Sequence, residues 1–368
     1  MQEDIPEIGI MFCGGGTAGH VFPALAVAQE LRRRYHGGMG WIGSLSGMER
    51  TLVDRVGLPY FGIPTGKWRR YVSLANLTDL FKIAAGIAAA FVILARQRPR
   101  LLFSKGGYVS VPSVLAARVL GIPVWTHESD FDPGMATRII APHAKRIYTS
   151  FAETGDFLGP SAREKTVCVG NPVRAGFAGA DPAKGRRFLG CDGERKLLLI
   201  LGGSQGAREM NRLVGEFVQE ITDRCFVAHQ MGREDYRPSR REGYCTVPFF
   251  GEEMPHVLAA ADVVITRAGA NILAELALLG KAAILVPLSR AASRGDQLRN
   301  AAYFGKRGAA VVWDGQGDIR TAVMRLLDGD DERAALGAAV RRLARPRAAE
   351  EMAVQLAARL AGEAEACP

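Results

Sequence analysis

Short apolar runs recur along the chain, each separated from the next by a segment whose apolar positions have helical spacing. In the first half the runs are Ile8–Cys13, Met39–Ile42, Leu101–Phe103, Val124–Thr126 and Arg146–Thr149. In the second half they are Lys196–Leu201, Cys225–His229, Tyr244–Val247, Val263–Thr266, Ala283–Val286 and Ala309–Val312. Strand and helix in alternation is the pattern of parallel sheets built from βαβ units, whose strands are apolar on both sides because helices cover both faces. The pattern breaks after Gly170-Asn-Pro-Val-Arg174, where Gly and Pro interrupt it ahead of a charged stretch. The chain therefore reads as two α/β domains, 1–172 and 173–345. An alanine-rich helical tail, about 346–366, can pack on either half and is assigned to the first.

A length of 368 residues suits two domains of ordinary size, and 48% hydrophobic with 23% charged residues excludes a disordered chain. Charge adds more. There are 47 basic residues against 38 acidic ones, a net +9, which favours an anionic partner: a phosphorylated ligand, a nucleic acid or an anionic membrane. No nucleic-acid-binding motif is present, and no nucleic-acid partner is expected. The basic residues gather instead around the uncharged run Ile83–Ala95, with Lys82 before it, Arg96, Arg98 and Arg100 after it, and Lys67-Trp-Arg-Arg-Tyr71 upstream. Crossing a bilayer takes roughly 20 apolar residues, so this run is expected to pack in an α/β core and to touch an anionic surface, not to span it. Six cysteines lie scattered with no C-x-x-C pair and no zinc spacing, as reduced thiols would. The first residues, Met1-Gln-Glu-Asp-Ile-Pro6, lack the basic and apolar regions of a secretory leader.

Two glycine-rich turns carry the first chemical signal. Cys13-Gly-Gly-Gly-Thr-Ala-Gly-His20 joins a strand to a helix, and Gly14, Gly16 and Gly19 match G-x-G-x-x-G. Glycines let the backbone approach a phosphate, and the helix start supplies N–H donors. A nicotinamide cofactor would add an acid about 20 residues on, at the end of the second strand. That strand ends Trp41-Ile42-Gly43-Ser44 with no acid before Glu49, so no such cofactor is expected. The second turn, Leu201-Gly-Gly-Ser-Gln-Gly-Ala207, adds the Ser204 hydroxyl and Gln205 amide. Two such turns, heading both halves, suggest a ligand held between two Rossmann-like domains at the carboxyl ends of both sheets. Glu275 follows a third strand-loop-helix unit, as a ribose ligand or as a complement to the helix dipole. Asp296-Gln-Leu-Arg-Asn300 opens another helix with side chains suited to sugar hydroxyls.

These segments occur in a set order: GGGTAGH with PALA downstream, SKGGYVSVPSVLAA at 104–117, GIPVWTHESD at 121–130, GNPVR at 170–174, GGSQGA at 202–207 and RAGANILAEL at 267–276. As a set, covering nearly the whole chain, they closely resemble the MurG family of glycosyltransferases, family 28. The resemblance implies the GT-B fold of two facing Rossmann-like domains. It also implies inverting transfer of N-acetylglucosamine from UDP-N-acetylglucosamine to lipid I, the undecaprenyl-diphosphate-linked N-acetylmuramoyl peptide. The product is lipid II for peptidoglycan synthesis. A hexosyltransferase of this kind would work, with no cofactor, peripherally on the cytoplasmic face of the cell membrane. Its partners would be an anionic inner-leaflet surface and other cell-wall synthesis enzymes.

Carried over by motif, the donor side comprises Thr17, Gly19, Arg174, Gly203, Ser204, Gln205, Phe250, Ala270, Glu275, Gln297 and Asn300. Arg174 and the second glycine turn would face the diphosphate, the backbone near Phe250 the uracil and Glu275 the ribose. The acceptor side comprises Gly14, Gly15, Gly16, His20, Gly106, Gly107, Tyr108 and Asp130. His20, Glu128 and Asp130 are the candidates for the base that takes the proton from the attacking hydroxyl. His20 follows the loop at a helix start, where the dipole favours a neutral imidazole. The chain departs from the family pattern at Ala18, where a glycine is usual. HEQN becomes His127-Glu-Ser-Asp130, and one of a glutamine pair becomes Asp296. Asp130-Phe-Asp132 is a D-x-D, a metal-binding pattern in some nucleotide-sugar transferases, but it lies away from the donor motifs and no metal is expected. The alternatives are another GT-B enzyme (a glycolipid glycosyltransferase or a UDP-N-acetylglucosamine 2-epimerase) and a non-catalytic nucleotide-sugar binder.

Overall fold

In a computed structural model, residues 7–66, 74–191, 193–202, 208–239, 241–289 and 294–362 are described. The first half pairs as a seven-stranded, wholly parallel sheet. Its strands are β1 Ile8–Cys13, β2 Gly38–Ser44, β3 Tyr60–Ile63, β4 Leu101–Ser104, β5 Val124–Glu128, β6 Arg146–Thr149 and β7 Thr166–Cys168, in the order β3-β2-β1-β4-β5-β6-β7. Alternation along β1 builds two layers. Ile10 and Phe12 face a core with the helix Phe22–Arg32, whereas Met11 and Cys13 face the helices Leu74–Gln97 and Ser110–Val119. A register shift between Ile8 and Ile10 puts Ile8 with Met11 instead of with Ile10. Phe12 lies in register with Trp41 and Phe103, and its ring stacks on the first at 6.1 Å and meets the second edge-on at 5.5 Å.

The second half forms a six-stranded parallel sheet. Its strands are β8 Leu197–Leu201, β9 Phe226–Gln230, β10 Tyr244–Val247, β11 Val263–Thr266, β12 Ala283–Leu285 and β13 Val311–Val312, in the order β10-β9-β8-β11-β12-β13. One compact unit consists of the described residues up to Arg174 together with those from Pro346 on; the other runs from Ala175 to Arg345. The tail helix Ala348–Ala361 packs on the first unit. Met352, Leu356 and Leu360 are buried with Trp125, Tyr148 and the helix Phe22–Arg32, each burial contributing about 1.5–3 kcal/mol. Gln355 Oε1 accepts from Arg146 at 2.7 Å and from the Tyr148 hydroxyl at 3.0 Å.

Two strands escape the hydrophobic pattern, β3 and β7, and both are sheet edges. An edge strand lacks a neighbour on one side, and Tyr60, Phe61 and Gly62 and all of Thr166–Cys168 are only half-buried. A second difference is length. The uncharged run Ile83–Ala95 belongs to a helix of 24 residues, Leu74–Gln97, and its stretch Thr78–Gln97 is long and apolar enough to cross a membrane by length and composition. The uncharged run alone is shorter than a span; the helix that contains it is longer. The helix is also built into the unit, with Ala90 and Leu94 fully buried against the sheet and Gly86 lying against the Pro64 carbonyl. The other faces are exposed, including Leu80 at 51% and Phe81 at 70%.

Candidate active site

The strand order of the first sheet reverses between β1 and β4, and the loops leaving those two strands meet at its carboxyl edge. Lys105 N–H donates to the Cys13 carbonyl at 2.9 Å, and the Ser110 hydroxyl donates to it at 3.2 Å. Two glycines with positive φ make the contact close enough. A Cβ on Gly16 (φ +83°) would lie 2.5 Å from the Tyr108 ring, and one on Gly107 (φ +78°) would lie 2.9 Å from His20 Cδ2. Gly14, Gly15, Gly16, His20, Gly106, Gly107 and Tyr108 thus come together. Tyr108 keeps its phenol proton, because burial first and the Glu49 and Asp79 charges second push its pKa up.

Three details differ from the sequence reading. His20 closes a short 3-10 turn, Ala18–His20, and the long helix starts beyond it at Phe22. Arg174 stands at that helix start, its guanidinium 4.6 Å over the Phe22 ring. The glycine loop is also not a vacant phosphate cradle at Gly16. The fully buried Glu49 accepts the Gly16 N–H with one oxygen and the Ser44 N–H and hydroxyl with the other. Trp41 Nε1 donates to the Gly14 carbonyl at 3.1 Å, holding the loop from the same side.

Beyond β5, Glu128 is buried and its carboxylate accepts three donors: Asp130 N–H at 2.9 Å, Gly134 N–H at 3.0 Å and the Thr137 hydroxyl. It works as the anchor of the loop that carries Asp130, which removes it from the candidate bases. Asp130 is half-buried, and its carbonyl accepts from Thr154 at 3.3 Å. Asp132, the second acid of the D-x-D, pairs with Arg138 at 2.8 Å. Among the described residues no three His, Cys, Asp or Glu stand together as a metal-binding group. His127 is fully buried, and its Nε2 lies 3.0 Å from the Gly170 carbonyl. Burial first and the Lys105 charge second hold its pKa well below the usual value, so it is neutral and donates this bond.

In the second sheet the order reverses between β8 and β11. Gly203, Ser204 and Gln205 lie outside the described residues. Ala270 is the first residue of the helix Ala270–Leu279, and Glu275 lies half-buried in its second turn. Gln297 Oε1 accepts the Leu288 N–H at 3.1 Å. Asn300 is fully buried and its amide donates to the Ala268 carbonyl at 3.1 Å, so it ties the loop after β11 to the helix Asp296–Lys306 instead of facing a sugar. Phe250 is buried as well, and its N–H donates to Gln230 Oε1 at 2.9 Å. A cavity of about 1170 Å³ in this unit, lined by Arg267, Leu298 and Trp313 among others, has none of Phe250, Ala270, Glu275, Gln297 or Asn300 among its described lining residues.

Residues 10–149 match the glycosyltransferase family 28 N-terminal domain, and residues 197–339 match the family 28 C-terminal domain. The structure aligns with the crystal structure of Acinetobacter baumannii MurG at a TM-score of 0.70 and 26% identity, over 94% of this chain and 98% of that one. A relative from Treponema denticola, named UDP-N-acetylglucosamine--N-acetylmuramyl-(pentapeptide) pyrophosphoryl-undecaprenol N-acetylglucosamine transferase, is 43% identical over 340 residues, 86% of this chain and 87% of its own length. The chain belongs to the MurG family of glycosyltransferases. A MurG-family relative of the same name from Lachnoclostridium phytofermentans is 42% identical over 305 residues, 82% of this chain and 85% of its own. A UDP-N-acetylglucosamine 2-epimerase from Listeria monocytogenes aligns at a TM-score of 0.69 with 13% identity, over 98% of each chain, a likeness of fold alone. Two parallel-sheet α/β units with MurG among their structural neighbours are the GT-B class.

Glu49, Lys105, Ser129 and Asn171 were not singled out from the sequence. Lys105, Ser129 and Asn171 did lie inside segments compared with the MurG family, and that was the signal available for them.

Proposed function

We propose that this chain transfers N-acetylglucosamine from UDP-N-acetylglucosamine to the muramoyl hydroxyl of lipid I, forming lipid II for peptidoglycan synthesis. The observation that carries this is 43% identity over 86% of the chain to a transferase of that name. The acceptor hydroxyl attacks the anomeric carbon, the bond from that carbon to the UDP oxygen breaks with inversion, and a base takes the hydroxyl proton. The departing diphosphate needs positive potential, which the start of the helix Ala270–Leu279 can supply within the second unit, and Arg174 remains assigned to the donor side. On the acceptor side, His20 is the first choice of base and Asp130 the second, since Glu128 is held by three donors. Glu275 is assigned the ribose, and Thr17 and Gly19 remain donor-side residues of the first loop.

The acceptor is a lipid, so the first unit has to meet a bilayer surface. The exposed Leu80, Phe81, Phe91 and Val92 on the helix Leu74–Gln97 suit that contact, as does the exposed Lys82 beside them. Trp68, Arg69 and Arg70 lie outside the described residues. Incubation with lipid I and UDP-N-acetylglucosamine, followed by mass detection, tests the reading. One N-acetylhexosamine added to lipid I supports it; an epimerised nucleotide sugar with lipid I unchanged overturns it in favour of the epimerase alternative.

A further inference from the structure

One buried guanidinium joins the segments of the second unit that carry the donor-side residues. Arg267 follows β11 directly and leads into the helix Ala270–Leu279, on which Glu275 stands. Its side chain is 8% exposed. Nη1 donates to the Val286 carbonyl at 3.2 Å, just past the end of β12. Nη2 donates to Glu209 Oε2 at 2.9 Å, in the first turn of the helix Arg208–Gly215, which begins where the second glycine-rich turn ends. The bonds continue from there and close into a ring. The Leu288 N–H, two residues past Val286, donates to Gln297 Oε1 at 3.1 Å. On the same helix as Gln297, the Asn300 amide donates back to the Ala268 carbonyl, beside Arg267, at 3.1 Å. The loop after β11, the loop after β12 and the helix Asp296–Lys306 are thereby tied to one another, and Glu209 ties the helix Arg208–Gly215 to all three. A planar, forked, permanently charged donor suits such a junction, because it reaches two acceptors on different segments from one fixed plane. Glu209 is 57% exposed, where charge alone gains little, so the worth of the pair lies in the position it fixes.

We propose that Arg267 is a positioning residue for the nucleotide sugar: bonded to Val286 and Glu209 at once, it sets the start of the helix Arg208–Gly215 against the start of the helix Ala270–Leu279. This rests on the donor-side reading of Ala270, Glu275 and Gln297. Arg267 acts through those segments and has no contact with the donor assigned to it. Its loss leaves the buried Val286 carbonyl without this donor and frees Glu209, so the two helix starts are no longer held at one spacing. All of these contacts lie within the second unit, so the acceptor side keeps its own supports.

The test combines UDP binding by calorimetry with steady-state lipid I turnover for wild type, Arg267→Met, Arg267→Lys, Glu209→Gln and the Arg267→Met/Glu209→Gln pair. Arg267→Met is expected to weaken UDP binding about tenfold and to raise KM for UDP-N-acetylglucosamine by a similar factor, with KM for lipid I near wild type. Arg267→Lys keeps the charge without the fork and should recover part of the loss. Glu209→Gln keeps an acceptor and should cost about two- to threefold in UDP binding. The pair should lose no more than Arg267→Met alone, because both changes break one contact. A wild-type chain that binds no UDP overturns the donor-side reading and the proposal with it. If wild type binds UDP and Arg267→Met binds it as tightly, the donor-side reading stands and the proposal falls. The proposal also falls if KM for lipid I rises in Arg267→Met as much as KM for the donor, which marks a general loosening of the fold. Should Arg267→Met not fold, Arg267→Lys and Glu209→Gln decide, and UDP binding equal to wild type in both overturns the proposal.

Discussion

The Glu49 carboxylate accepts the backbone N–H of Gly16 at 3.2 Å, across 33 residues of sequence. The protein thereby supplies its own anion to a loop whose glycines look like a phosphate cradle. Any phosphate this loop takes has to be held by its other donors.

Removing that anion should loosen the loop. Glu49→Ala leaves the buried Ser44 N–H without its acceptor, and a stability loss of about 1–3 kcal/mol is expected, with a smaller loss for Glu49→Gln. Urea unfolding followed by tryptophan fluorescence measures it. A midpoint equal to wild type in Glu49→Ala would show that water replaces the carboxylate at no cost.

His20 packs against Gly107 within reach of the same loops. As the base, its replacement by alanine should lower kcat by about 10²–10⁴ with donor KM near wild type. A kcat within a few-fold of wild type ends that assignment and moves the role to Asp130.

Glu275, on the helix Ala270–Leu279, is assigned to the donor ribose in the proposed reaction. Glu275→Ala is expected to raise KM for UDP-N-acetylglucosamine more than it lowers kcat, because a contact with the ribose is equally strong before and during the reaction. An unchanged KM in a folded variant would leave Glu275 as a complement to the helix dipole.

His229 gives the second unit an acid-side weakness. Burial lowers its pKa from 6.5 to about 4, and its Nδ1 lies 2.8 Å from the Tyr244 hydroxyl. The unfolded chain takes up the proton more readily, so stability is full above pH 6.5. It falls as pH drops through that value towards 4, at up to about 1.4 kcal/mol per pH unit from this residue. Urea midpoints between pH 7 and pH 4.5 should decline less steeply in His229→Gln than in wild type. Parallel declines would clear His229.

Membrane contact should depend on both charge and the exposed face of the helix Leu74–Gln97. Sedimentation with anionic vesicles is expected to exceed that with neutral ones, to weaken with salt and to drop in Phe81→Ser. Equal partition onto both vesicle types at every salt concentration would count against the electrostatic part.

The apolar runs placed the inner strands because those strands are buried on both faces; they missed β3 and β7, two short edges of the first sheet, although they marked the partly buried edges β10 and β13 of the second. They also stopped too soon. β2 runs on to Ser44, β4 to Ser104, β5 to His127 and Glu128, and β9 to Gln230, and every one of these polar residues is buried. Hydrophobicity ends a strand at its first polar residue, whereas here the polar ends stay in the sheet and hold the loops. That is why Glu49 went unnoticed: its partners are Ser44 and Gly16, and nothing in local spacing joins the three. Asn300 shows the reverse error, since a side chain suited to sugar hydroxyls proves to be a buried tie to Ala268.

The tail helix Ala348–Ala361 has a consequence for the order in which the molecule is made. Its Met352, Leu356 and Leu360 complete the core beneath Trp125 and Tyr148, yet they leave the ribosome after the whole second unit. During synthesis the second unit can close on its own residues while the first still exposes one flank of its sheet. The half that starts first finishes last, and a nascent chain stalled before Pro346 would carry a sheet with one apolar flank still uncovered.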